Sequence, residues 1–224
     1  MRVTIPFVKL FQKGSHVLLI ALVAACGCKN KEETSALAAG KPKAIPAGFK
    51  VQAVHGFTIA IPSGLTAIDF TAGSAEELVA NIKKEHPESP GLADQVSKLA
   101  TSGAMKLMAI DTASKDAFKS NFNMLEVKVG GNVTLDQLLD LNKPQVEAMA
   151  DRQSVKVTKV KLPAADAELI EATLNQTSGK YYAAMYLVLY QGTEYVATYS
   201  SSMDNAAKWK KVADQSMKSL SFTN

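Results

Sequence analysis

The chain has 224 residues, enough for one domain of moderate size with a sizeable core. Lys and Arg number 25 against 21 Asp and Glu, but Arg2, Lys9 and Lys13 stand ahead of an N-terminal apolar run, and without them the balance is 22 to 21. A charge so nearly even excludes a general electrostatic role in nucleic-acid binding.

Residues 17–26, Val-Leu-Leu-Ile-Ala-Leu-Val-Ala-Ala-Cys, are apolar but shorter than the roughly 20 residues that a bilayer-crossing helix needs. Basic residues precede the run and no acidic one does, which is the composition of a cleaved secretory signal over residues 1–25. Val23-Ala24-Ala25-Cys26 resembles the lipobox of bacterial lipoproteins. The resemblance implies cleavage before Cys26, acylation of its thiol, and a membrane as the first partner. Each buried methylene contributes about 0.8 kcal/mol, so a multiply acylated Cys26 holds stably. Gly27 follows where an aspartate would resemble the inner-membrane retention signal, so outer-membrane sorting facing the periplasm is expected. Cys28 is then the one remaining thiol, and no intrachain disulfide is expected.

Residues 26–48 are the acylated cysteine and a tract rich in Lys, Glu, Ser, Ala, Gly and Pro. Such a tether has a root-mean-square reach of about 25 Å, at about 5–6 Å times the square root of its length. The folded domain is expected over 49–224. Residues 49–54 and 57–62 alternate apolar and polar around His55-Gly56 and predict a hairpin that Pro62 ends. Ser74 and Glu77 have the spacing of a capping box, opening a helix that Pro87 stops, and a second helix follows the Pro90-Gly91 turn. Residues 105–111 and 123–129 read as strands. Thr134 and Gln137 cap another helix, which Pro144 either kinks or restarts from an Asn142 cap, a kink being preferred. Four strands over 155–162, 168–176, 181–190 and 194–201 are joined by short links, hence antiparallel, and Asp204 or Asn205 caps a closing helix with Trp209, Val212, Ala213, Met217 and Leu220 on one face.

The resulting fold class is α+β, an antiparallel sheet with helices on both faces. Residues 57–64, Phe-Thr-Ile-Ala-Ile-Pro-Ser-Gly, together with 121–129, 194–200 and 219–222 in that order, resemble the PsbP/DcrB-like fold. The resemblance implies an α/β/α sandwich and a family of binding and assembly roles, and it carries over no functional residue. The segment 71–103, with two helices, is longer than such a fold requires and is where the protein's own function is looked for.

Chemistry is sparsely signalled. His86 with Glu85 or Glu88 offers too few ligands at the wrong spacing for zinc, so no metal and no cofactor is expected. There is no nucleophile elbow, phosphate-binding loop or dinucleotide fingerprint, and Asp136, Asp140 and Glu147 fall on the polar side of a helix. The remaining candidates for ligand or partner contact are Tyr182, Tyr186 and Tyr190 on one parity of a strand and Tyr195 and Tyr199 on one parity of the next. Packing of these rings under helices is the favoured alternative. The expected function is a non-enzymatic envelope lipoprotein that binds or assembles with an envelope protein; the alternative is a small-ligand or metal-binding lipoprotein serving a transporter.

Overall fold

The structure, a computed structural model, describes residues 45–223 apart from 86–89, 101, 117 and 177–178. The signal, Cys26, the tether up to residue 44, His86 and Pro87 lie outside the described residues. The first elements are β1 (Phe49–Val54), β2 (Phe57–Pro62), β3 (Thr66–Asp69), α1 (Ala75–Glu85), α2 (Pro90–Ala100), β4 (Met105–Ile110) and β5 (Asn121–Lys128). After them come α3 (Leu135–Met149), β6 (Lys156–Lys161), β7 (Asp166–Gln176), β8 (Gly179–Tyr190), β9 (Thr193–Ser202), α4 (Ala206–Ser219) and β10 (Ser221–Phe222).

Strands β1 and β2 pair from Phe49↔Pro62 to Val54↔Phe57, so His55-Gly56 is a two-residue turn, with Gly56 at φ +93°. The β8–β9 turn, Gln191-Gly192, takes positive φ at both positions, +47° and +69°. A side chain at Gly192 would meet the Gly130 carbonyl carbon at 3.3 Å. The Gly192 carbonyl accepts from Val129 N at 3.0 Å and Gly130 N at 3.1 Å, which ties this turn to the end of β5.

Both capping boxes form. Glu77 N donates to Ser74 Oγ and Ser74 N donates to Glu77 Oε2 at the head of α1; Gln137 N and Thr134 N make the same exchange at the head of α3. Helix α3 runs through Pro144 to Met149 without restarting, so Asn142 is no cap. At the start of α4 Asn205 makes no capping bond: its backbone is helical, at φ −95° and ψ −1°, rather than extended as a capping residue's usually is, and its Nδ2 donates to Asp116 Oδ2 and Ser202 Oγ.

Seven strands form one antiparallel sheet in the order β3-β4-β5-β9-β8-β7-β6. The opening hairpin is not part of it: β1, β2 and β10 make a separate three-stranded sheet. Helices α1, α2 and α3 cover one face of the large sheet, with Ile82, Val96, Leu99, Leu138 and Val146 packed on Met108, Leu125, Ile170 and Val196. The other face is shared by α4 and the small sheet, whose Trp209, Met217, Phe57 and Ile59 meet Phe122, Tyr186 and Tyr199. The Ser219 hydroxyl accepts from Ala60 N at 2.8 Å, and Thr223 N donates to Gly56 O at 3.0 Å, so the chain's end is fastened to its first hairpin.

Candidate functional site

Alternate residues of a strand face opposite ways, and β5 and β9 are central neighbours. Asn121 lies opposite Ser200, and Asn123 opposite Thr198, so the four side chains form a two-by-two array on the helix-covered face. All four are fully buried. Asn121 Nδ2 donates to Lys119 O at 2.9 Å, but Asn121 Oδ1, both amide atoms of Asn123, Thr198 Oγ1 and Ser200 Oγ have no partner among the described residues. Leaving a buried polar group unsatisfied costs about 1–3 kcal/mol, and an array of five such atoms is therefore unusual. The flanks are apolar: Met108 and Ile110 on β4, Ala183 and Met185 on β8.

Farther along the same face of β9 lies Glu194, also fully buried. Its Oε1 accepts from Asn142 Nδ2 at 2.9 Å, while the same Nδ2 donates to Leu138 O at 2.8 Å within α3. Burial pushes the Glu194 carboxyl up to about 7, against the smaller opposing effect of the Asn142 bond. Asn142 Oδ1 and Glu194 Oε2 are unpartnered among the described residues.

The five tyrosines do share a sheet face, because Val188 pairs with Tyr195 and Ala184 with Tyr199. That face is filled by protein. Tyr182, Tyr186, Tyr195 and Tyr199 are buried, with Tyr186 and Tyr199 edge to face at 6.3 Å, Tyr199 against Phe122 at 4.7 Å, and Tyr195 against Phe57 and Phe222. Tyr190, half-buried, stacks on Phe222 at 4.2 Å. The contacts of these rings are thus internal. Tyr182 reaches the rim, donating to Glu171 Oε1 at 2.7 Å, where Lys210 Nζ also donates to Glu171 at 2.8 Å. Burial raises the Glu171 carboxyl, but the bonds from Lys210 and Tyr182 outweigh it and hold the group below its ordinary range. Burial foremost raises the phenols of Tyr182, Tyr186 and Tyr199, and that of Tyr195 to about 12.

Among solved structures, the chain matches cyanobacterial PsbP (CyanoP) from Synechocystis sp. PCC 6803 with a TM-score of 0.51 and 10% identity, over 83% of this chain and 98% of that one. The fold is PsbP-like. Two further similarities are LpqN of Mycobacterium tuberculosis, involved in cell envelope biogenesis (TM-score 0.49, 11% identity, 79% of this chain and 92% of that one), and the Pseudomonas aeruginosa protein PA94, a putative regulator (0.42, 10%, 50% and 78%). No family model matches the sequence, and no curated protein does.

On this PsbP-like frame His55 sits exposed in the β1–β2 turn and Glu85 ends α1. Among the described residues no three His, Cys, Asp or Glu side chains are grouped to hold a metal, and no helix is long and apolar enough to cross a membrane. Sequence reasoning passed over the buried array. Residues 121–123 and 194–200 entered it only as strand pattern, and the available signal was two asparagines two apart in a strand whose other residues are mostly apolar.

Proposed function

We propose that this protein is a non-enzymatic binding or assembly module held at a bacterial envelope membrane by acylated Cys26, its partner a protein of that envelope. The observation that carries it is the order of parts. Val23-Ala24-Ala25-Cys26 ends an apolar run, and the first described strand begins only at Phe49, so the anchor and the core share no element. The PsbP-like fold supports a self-contained domain outside the anchor, and the binding or assembly role is this reading's own. With a tether reach of about 25 Å, the domain stands clear of the bilayer and meets partners that are soluble or exposed at its surface. Outer-membrane sorting follows from Gly27 in this reading.

Labelling of cells with a fatty-acid analogue tests the anchor. Cys26→Ala should lose the label while the domain keeps its thermal melt; undiminished labelling overturns the proposal. Crosslinking of the labelled protein in its native envelope then identifies the partner. A second reading, a lipoprotein that binds a small ligand for a transporter, is favoured by one observation, the unpartnered polar atoms of Asn121, Asn123, Thr198 and Ser200.

A further inference from the structure

We infer that the free edge of β1 is where this protein takes its partner: an extended segment of the partner chain, alternating carboxylate and apolar side chains, joins the small sheet beside β1. The inference rests on the binding-module reading and names the partner's chemistry; it is independent of acylation at Cys26.

Four strands end the two sheets among the described residues, and three of them are poor templates for a further strand. Strand β10 has two residues and β3 has four. Strand β6 has six but carries Lys156, Lys159 and Lys161, and Lys159 Nζ is held by Asp136 at 2.9 Å and Glu168 at 3.6 Å. Lysines along an outer strand are a common guard against edge-to-edge pairing. Strand β1 has six residues, no proline and an unbroken register against β2. Its one charge, Lys50, is drawn off to Leu65 O at 3.0 Å. This edge is left open.

The backbone sets what the edge offers. Gly48 O accepts from Ser63 N at 2.8 Å, so with a repeat of two residues Lys50, Gln52 and Val54 turn their N–H and C=O groups toward β2. The C=O of Phe49 and both groups of Val51 and Ala53 point the other way, with no hydrogen-bond partner among the described residues. Val51 is 47% exposed, Ile45 just ahead of the strand is 53% exposed, and Ala53 is exposed. A strand laid along this edge pairs those groups and covers those side chains.

Charge selects among the occupants. Residues 34–68 include Lys41, Lys43, Lys50 and His55 and no Asp or Glu. Glu126, whose Oε2 lies 3.7 Å from where a side chain at Gly56 would begin, has Lys128 at 4.0 Å from its Oε1. A second copy would bring the same lysines and no carboxylate to the same edge. A lipid surface offers its hydrocarbon nothing for the open N–H and C=O groups. An extended acidic polypeptide meets both demands. Val51 and Ala53 share one face of β1 and Lys50 lies on the other, so the added strand places apolar side chains on the first face and carboxylates on the second.

The probe is a capped hexapeptide of alternating Glu and Val, as long as β1, with its Lys and Val counterpart as control. Amide hydrogen exchange is followed by NMR in the full chain, labelled with nitrogen-15 in neutral detergent micelles. The acidic peptide should slow exchange at Val51 and Ala53 roughly tenfold, leave Val157, Lys159 and Lys161 of β6 unchanged, and exceed the basic peptide in effect. Ala53→Pro removes a donor that faces away from β2, so it should abolish the slowing at Val51 while the β1–β2 pairing persists. Should that variant fail to fold, Val51→Glu, at an exposed position, should reverse the preference between the two peptides. No slowing with the acidic peptide, equal slowing by both peptides, or slowing at β6 instead would overturn the inference. Protection of Val51 and Ala53 before any peptide is added also overturns it: a second copy holds the edge if that protection rises with protein concentration, and the chain's own N-terminal tract holds it otherwise. Fatty-acid labelling of Cys26 is unaffected by any of these results, so the anchor and the edge fail separately.

Discussion

The two faces of the seven-stranded sheet are built from the same strands and bury different chemistry. Toward α4 and the small sheet, β8 and β9 send Tyr182, Tyr186, Tyr195 and Tyr199, whose rings pack against Phe57, Phe122 and Trp209. Toward α1, α2 and α3, the intervening residues of β9 are Glu194, Val196, Thr198 and Ser200. Among the described residues, unpartnered buried atoms divide unevenly. On the aromatic face they are Tyr199 Oη and Ser216 Oγ, which face and influence one another without a well-formed hydrogen bond; on the other face they come from Asn121, Asn123, Asn142, Glu168, Glu194, Thr198 and Ser200. Aromatic pairs add about 0.5–1.5 kcal/mol beyond their area, while each orphaned polar group costs about 1–3 kcal/mol. The aromatic face therefore adds ring-on-ring packing to its burial, whereas the helix-covered face buries its apolar cluster together with most of the orphaned polar atoms found among the described residues.

The largest test of this contrast is Trp209→Ala. Trp209 is 4% exposed and anchors α4 on the aromatic face, so truncation should cost about 3–5 kcal/mol. A denaturation midpoint unchanged by the substitution would break the comparison.

Glu194 tests the opposite face. Its carboxyl is raised from 4.5 to about 7, so between those values the folded chain holds a proton that the unfolded chain has released. This contribution to stability is therefore fully present below about pH 4.5, declines as pH rises, and is lost above about 7. The loss is at most roughly 3 kcal/mol, at 1.36 kcal/mol per pKa unit. Denaturant midpoints at pH 4.5 and pH 8, the ordinary carboxylate value and a point above the raised one, should separate in the wild type and converge in Glu194→Gln, apart from the pH dependence shared by both proteins. An equal pH dependence in both would mean that burial does not raise the Glu194 carboxyl.

The smallest effect belongs to the rim. Tyr182→Phe removes one hydrogen bond to Glu171, which keeps Lys210, and should cost about 1 kcal/mol. A loss as large as that of Trp209→Ala would show that the aromatic face depends on its polar edge rather than on its rings.

Most of the elements were legible because they announce themselves locally. Ser74 with Glu77 and Thr134 with Gln137 mark helix starts by side-chain reach alone, and the alternation in 49–54 and 57–62 sets a hairpin whose register is one to one. Strands β3 and β10 were missed because four and two residues are too short to display a period. Asn205 stands at the head of α4 as expected, yet its amide is drawn away by Asp116, a residue 89 positions earlier that only the folded chain brings near.

By itself the sequence determined the identity of nearly every strand and helix, the antiparallel order of the last four strands and the shared face of the five tyrosines, since each of these depends on neighbours or on a period of two. Tertiary structure alone decided that the opening hairpin leaves the main sheet to become a cover, because that choice depends on β10 arriving at β2 from the far end of the chain. It also decided the site. Asn121 and Asn123 meet Thr198 and Ser200 only because β9 inserts beside β5 across some 70 intervening residues, and whether a polar side chain is buried without a partner is a property of what packs above it, which no local pattern records.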